Sequence, residues 1–452
     1  MTATPLPMKP SPRLPRRWAW TITLGIIAMV AAIGVGVYLH NGSPALVQGT
    51  SAPLTAGIAS TTDANITALQ KKISANPEGF ENYLALSSAY LQKIRETGDP
   101  SLYGRAEASL KKAAAIEPES ADLFAAQAAL SLGRHDFEGA LALGKKALAT
   151  DPERARYYGI VADAQVELGR YDEAVKNLQE MVNRRPDFAA FSRVAYLREL
   201  HGDFEGAILA FEVAIDASSE SPENVAWAYV QSGNLSFALG NYREADKQYA
   251  LALARFPGYA VALGAQGRLA AANGELDVAA RLLKTAQERM PLAEYAIALG
   301  DVYTLQGKSA EAKRQYDLVQ AIDRLQSQNG VNTDLELSLF LSDHGIDPAA
   351  SLERARLVYA KRPSVHAADA LAWALHRSGR DAEAMPYATE ALRLGSRDSL
   401  KLFHAGIIAQ ANGRNAEAFT YLEEALRLNP KFSLLHADEA AAALATLRAN
   451  QP

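Results

Sequence analysis

The sequence predicts an all-α protein: an α-solenoid of about ten helix pairs, preceded by one N-terminal transmembrane helix. Three observations predict it. An Ala recurs at Ala106, Ala140, Ala174, Ala207, Ala245, Ala279, Ala312, Ala384 and Ala418, mostly in steps of 33 or 34 residues. A Gly five residues before it and a Pro twelve after it keep step with that column. An uncharged apolar run of 22 residues lies near the N-terminus, at 18–39.

Residues 1–17 form a basic segment containing Lys9, Arg13, Arg16 and Arg17. The run 18–39, WAWTITLGIIAMVAAIGVGVYL, follows it. At about 1.5 Å per helical residue it spans about 30 Å, one hydrocarbon core. Trp18, Trp20 and Tyr38 stand at its ends, where amphipathic rings prefer the interface. No Lys or Arg follows until Lys71, so the positive-inside rule keeps the N-terminus cytoplasmic and sends the rest across. A cleaved signal peptide is the alternative, with GTSAPL as a weak cleavage site, but the apolar run exceeds the usual signal core. Residues 40–62, rich in Gly, Ser, Thr, Ala and Pro, read as a flexible linker. Residues 63–78 read as a half-repeat that caps the array, and 432–452 as a C-terminal capping helix and tail.

The array itself occupies 79–431. Gly169, Gly202, Gly240, Gly274, Gly307, Gly379 and Gly413 precede the Ala column by five and end the first helix of each unit in a tight turn. Phrases such as GRYDEA, GDFEGA and GNYREA then open a second helix with acidic groups in its first turn. Small residues at Gly233, Gly267, Gly300, Ala372 and Gly406 let the two helices approach closely. Pro118, Pro152, Pro186, Pro257, Pro291 and Pro430 stop the second helix. Neither helix buries its apolar face alone, but stacked units bury a continuous core.

These columns resemble the tetratricopeptide repeat (TPR) family, which implies a right-handed superhelix of helix pairs with a concave groove lined by the first helices. Ten units begin near Gly79, Ser120, Glu153, Pro186, Glu223, Gly258, Leu292, Asn332, Val365 and Ser399. Departures from the pattern are specific. The eighth unit carries Ser351 in place of the column Ala, and IDRLQSQNGVN before it is a longer joint where a bend is expected.

Composition and motifs exclude several function classes. Net charge is −5, from 46 basic and 51 acidic side chains, so nothing drives phosphate-backbone binding and no nucleic-acid partner is expected. No Cys is present, which removes thiol nucleophiles and Cys-based metal sites. No phosphate loop, nucleophile elbow or metal-ligand spacing occurs; Gly307-Lys308-Ser309 sits in an inter-helix turn and lacks the rest of a Walker loop. Hence no catalytic residue, cofactor, metal or small-molecule substrate is expected. His366, His376 and His404 admit two readings, a pH- or metal-responsive cluster and ordinary packing, with packing favoured.

The resemblance directs the search to one groove-facing position per first helix. The candidates are Asp163, Tyr196, Asn234, Arg268, Asp301, Phe340 and Trp373, with Trp227 nearby on the same face. Phe340 and Trp373 stay open between groove aromatics and inter-repeat packing. Asn234 and Arg268 match the family's carboxylate clamp only in fragments, so binding of chaperone tails is not expected. The expectation is a non-catalytic, membrane-anchored TPR scaffold that holds a protein or peptide in its groove, in an envelope assembly or secretion complex. It sits in the cytoplasmic membrane through its N-terminal helix, with the repeats outside. The alternatives are an accessory subunit or regulator of a membrane-associated enzyme complex, and a cytoplasm-facing array.

Overall fold

The computed structural model describes residues 61–218 and 221–449. The expected basic segment 1–17 and transmembrane helix 18–39 lie outside the described residues. Among those described, no helix is long and apolar enough to cross a membrane. They form 22 helices and no strand.

Helix α1 (Thr61–Ala75) opens the array and takes the last two residues of the expected linker. Five helix pairs follow: α2 (Phe80–Thr97) with α3 (Leu102–Ile116), α4 (Ala121–Gly133) with α5 (Phe137–Thr150), α6 (Ala155–Glu167) with α7 (Tyr171–Arg184), α8 (Phe188–Leu200) with α9 (Phe204–Asp216), and α10 (Pro222–Ala238) with α11 (Tyr242–Arg255). Five more complete it: α12 (Ala260–Ala272) with α13 (Leu276–Arg289), α14 (Ala293–Leu305) with α15 (Ser309–Gln328), α16 (Asp334–Asp343) with α17 (Pro348–Lys361), α18 (Val365–Arg377) with α19 (Asp381–Ala391), and α20 (Ser399–Ala411) with α21 (Asn415–Leu428). Helix α22 (Ala437–Ala449) packs on the last pair. The two helices of each pair pack most heavily on each other, and in most pairs the second helix packs next on the first helix of the following pair.

Local chemistry sets the helix ends. Asp136 and Asp203 cap α5 and α9 by accepting from the Gly139 and Gly206 N–H groups, and Ser364 caps α18 in the same way. Between the members of a pair the chain turns through a left-handed residue, Gly240 at φ 73° for example. In the second unit that place is held by His135 at φ 59°, a conformation costly for a residue with a Cβ. Its ring Nδ1 lies 2.7 Å from the Asn332 carbonyl and its face stacks on Phe137, which holds it there.

The Ala column is the packing seam. Ala140, Ala174, Ala207, Ala245, Ala279, Ala384 and Ala418 are all 0% exposed. Ser351 in the eighth unit is equally buried, and polar groups replace the missing fit. Its Oγ donates to the Ser338 carbonyl at 2.9 Å and lies 2.7 Å from the Ser342 hydroxyl, while Ser338 Oγ donates back to the Ser351 carbonyl at 3.0 Å. A buried hydroxyl with all its bonds made costs little.

The array coils far enough for late units to lie on early ones. The Asn332 N–H donates to the Arg134 carbonyl at 3.1 Å, and the Val365 N–H donates to the Tyr171 hydroxyl at 2.9 Å. Arg397 pairs with Glu205 at 2.9 Å. The Tyr242 hydroxyl donates to Asn429 Oδ1 at 2.6 Å, and Asn429 Nδ2 donates to the Phe237 carbonyl at 2.9 Å. These partners lie 187 to 198 residues apart, about six units at a 34-residue period. Much of the long joint before the eighth unit is helical, extending α15 to 20 residues, and the joint's end docks on the turn at Arg134–His135.

Candidate partner-binding site

Where the two levels of the coil meet, the first helices of both enclose three adjoining cavities of about 510, 440 and 210 Å³. The first and second share His135 and Glu336; the second and third share Tyr196 and His366. They form a series along the inner face of the array.

The largest cavity is mainly apolar. Trp227 of α10, Tyr259, Val261, Leu292, Ile297 and Val319 contribute to its wall. Glu223, at the first turn of α10, is buried beside it; its Oε1 accepts from the Tyr259 hydroxyl at 2.8 Å and its Oε2 from Gln92 at 3.0 Å. Arg95 stands 3.9 Å away. Glu294 and Glu336 are exposed carboxylates on the lining.

The second cavity is crossed by ion pairs. Asp163 of α6 takes a two-pronged pair from Arg193 of α8, Nε to Oδ1 at 2.8 Å and Nη2 to Oδ2 at 2.7 Å, which ties adjacent first helices together. Arg362 is buried over the Phe137 ring, with Nη1 3.5 Å from Glu167 and Nη2 without an acceptor. Burial pushes the Glu167 carboxyl above its usual range, and Arg362 only partly offsets this.

The third cavity is bordered by a charged knot. Lys401 pairs with Asp398 at 2.5 Å, and Glu199 of α8 faces them from the other level of the coil. Burial and the like charge of Asp398 raise Glu199 to about 7. Burial followed by Lys401 holds His366 neutral, far below the usual range. Burial works against ionised Asp398, but Lys401 outweighs it and lowers that carboxyl.

The structure separates the eight expected groove residues. Asp163, Tyr196 and Trp227 are half-buried and line the cavities. Arg268 is half-buried on α12 and lines none of these three. Asn234 accepts from the Tyr249 hydroxyl at 3.0 Å within its own pair. Asp301 is buried and engaged, accepting from Tyr316 at 2.8 Å and lying 2.8 Å from His344 Nε2. Phe340 and Trp373 are core residues rather than groove aromatics. Phe340 is 2% exposed and packs against Tyr316 and His344. Trp373 is 0% exposed, its Nε1 donates to Asp343 at 2.8 Å, and His404 and His376 stack on it at 4.2 and 5.0 Å.

The expected His cluster divides in the same way. His404 and His376 pair with Asp369 and Asp381 around Trp373, while His366 faces Tyr196 at 3.5 Å. Among the described residues no group of three or more His or carboxylate side chains is arranged to hold a metal ion.

Sequence reasoning missed Glu167, Glu199, Glu223, Glu336, Arg362, Asp398 and Lys401. Glu167 and Glu199 were within reach, being four and three residues past Asp163 and Tyr196 on the same helix faces. Arg362 and Asp398 lie before first helices and enter only because a distant unit folds over them.

No curated protein matches the chain. Among solved structures, PilW, a type IV pilus biogenesis factor, is similar at 18% identity over 44% of this chain and 92% of its own, with a TM-score of 0.39. Yeast Tom70 is similar at 15% identity over 86% of each chain, TM-score 0.36. The pilF protein of Pseudomonas aeruginosa is similar at 24% identity over 48% of this chain and 96% of its own, TM-score 0.35. Three family models, each described as tetratricopeptide repeat, match residues 131–198, 230–294 and 402–432.

Proposed function

We propose that the array is a non-catalytic docking scaffold that holds a protein or peptide segment along its inner face. The observation that carries this is the series of three joined cavities lined by first helices, with Asp163, Tyr196 and Trp227 among the lining. A partly polar, partly aromatic concave surface of this size suits a polypeptide held at several points. In this reading residues 18–39 anchor the chain in a membrane, residues 1–17 stay on the cytoplasmic side, and the repeats stand outside as part of an envelope assembly or secretion complex. The charge asymmetry around the apolar run supports that placement.

The test is photo-crosslinking in intact cells. A crosslinker at Trp227 is expected to capture a discrete protein, and one at exposed Leu251 of α11 is expected to capture none. Capture from position 251 with nothing at 227 overturns the site. Protease added to spheroplasts is expected to degrade the repeats; protection until lysis overturns the outward placement.

A further inference from the structure

The inner face carries an uneven charge. Counted over the three joined cavities, eight carboxylates line the series: Asp163, Glu167, Glu199, Glu223, Glu294, Asp323, Glu336 and Asp398. Only four Lys or Arg side chains join them: Arg95, Arg193, Arg362 and Lys401. Each of these cations stands against a carboxylate. Arg193 is clamped to Asp163, Lys401 to Asp398, and Arg362 and Arg95 stand beside Glu167 and Glu223. Among the described residues, Glu199, Glu294 and Glu336 have no Lys or Arg within 4.0 Å. Glu336 sits where the first two cavities join and Glu294 on the wall of the largest, so a chain lying along the series passes both.

The largest cavity adds the second half of the recognition. At about 510 Å³, walled by Trp227, Tyr259, Ile297 and Val319, it has room for several apolar side chains. Carboxylates facing a partly enclosed, low-dielectric space attract cations more strongly than the same groups in open water. An acidic segment would add like charge to a lining already in excess, and a nucleic acid would do so at every phosphate.

Resting on the docking role above, we infer that the occupant is an extended basic polypeptide segment, with Lys or Arg facing Glu336 and Glu294 and neighbouring apolar side chains in the Trp227 cavity. Its affinity is set by charge and by apolar burial together, so neither a purely basic nor a purely apolar segment binds as well.

The test is fluorescence anisotropy on the full chain with three labelled peptides: repeating Lys-Leu-Ser-Gly, its counterpart with Glu for Lys, and its counterpart with Ser for Leu. The Lys-Leu peptide is expected to bind at least about tenfold tighter than either counterpart and to weaken as salt rises. Glu294→Lys and Glu336→Lys, at exposed positions, are each expected to weaken it about fivefold or more while leaving the melting temperature in place. Trp227→Ala is expected to erase the preference for Leu over Ser. Equal or tighter binding of the Glu peptide, or unchanged binding by both charge reversals, overturns the inference. If no peptide binds while position 227 still captures a protein in cells, the docking role stands and this inference falls; if capture fails as well, both fall.

Discussion

The two Trp residues at 227 and 373 separate cleanly by environment. Trp373 is fully enclosed among Phe403, Leu371 and Ile408, and its indole N–H is spent on Asp343. Trp373→Ala is expected to cost about 3–5 kcal/mol, read as a lower denaturant midpoint, because it opens a cavity and leaves buried Asp343 with His436 alone as a partner. Trp227 is half-buried, touches Phe211 edge-on at 5.8 Å and borders open space, so Trp227→Ala should cost clearly less. Glu199 gives a pH-dependent case. Its carboxyl is raised to about 7 in the fold against about 4.3 in an unfolded chain, so the folded state binds the extra proton. That contribution is complete below the unfolded value and is lost as pH rises through 7. Glu199→Gln is therefore expected to stabilise the protein at pH 8, by on the order of 1–3 kcal/mol, and to change little at pH 5. An equal shift in melting temperature at both pH values would refute this account.

At the scale of helices, pair geometry depends on a few positions with no spare room. A Cβ on Gly300 of α14 would stand 2.4 Å from the Tyr316 ring on α15. That ring cannot swing away, because its hydroxyl donates to Asp301 and lies 3.1 Å from Thr304. Gly300→Ala is expected to lose about 1–3 kcal/mol despite the better helix propensity of Ala. Gly274 is the contrast. Nothing lies within 4 Å of its added Cβ, so Gly274→Ala meets only the strain of φ +80°, about 1–2 kcal/mol. Hydrogen exchange localises the two effects: Gly300→Ala should loosen α14 and α15 together, Gly274→Ala only its own turn.

At the scale of the whole array, the bonds between levels of the coil matter more than their number suggests. A solenoid has nearest-neighbour contacts alone, and lengthens easily unless distant units are tied. Asn429 is such a tie, 1% exposed and bonded to the Tyr242 hydroxyl, the Phe237 carbonyl and the Lys431 N–H. Asn429→Ala leaves these groups with a lost partner and is expected to cost about 2–3 kcal/mol. Small-angle X-ray scattering should also show a larger radius of gyration, since the cut lies between levels rather than within a unit. A destabilised variant with unchanged dimensions would mean that the levels hold without it.

Much of this protein was legible in the amino-acid order because a repeat is a local device. Turn, seam and stop act on neighbours within one unit, so the spacing of Gly240, Ala245 and Pro257 already dictated a helix pair, and its recurrence dictated a stack. The buried fate of Phe340 and Trp373 was not legible, since groove and core positions on a first helix share one face until the neighbouring units are placed. The inner cavities were less legible still. Glu336 and His135 line one cavity, and Arg362 meets Glu167, only because the stack coils back after about six units. That return depends on small rotations added from unit to unit, a quantity no single stretch of sequence encodes, and it brings the acidic lining together.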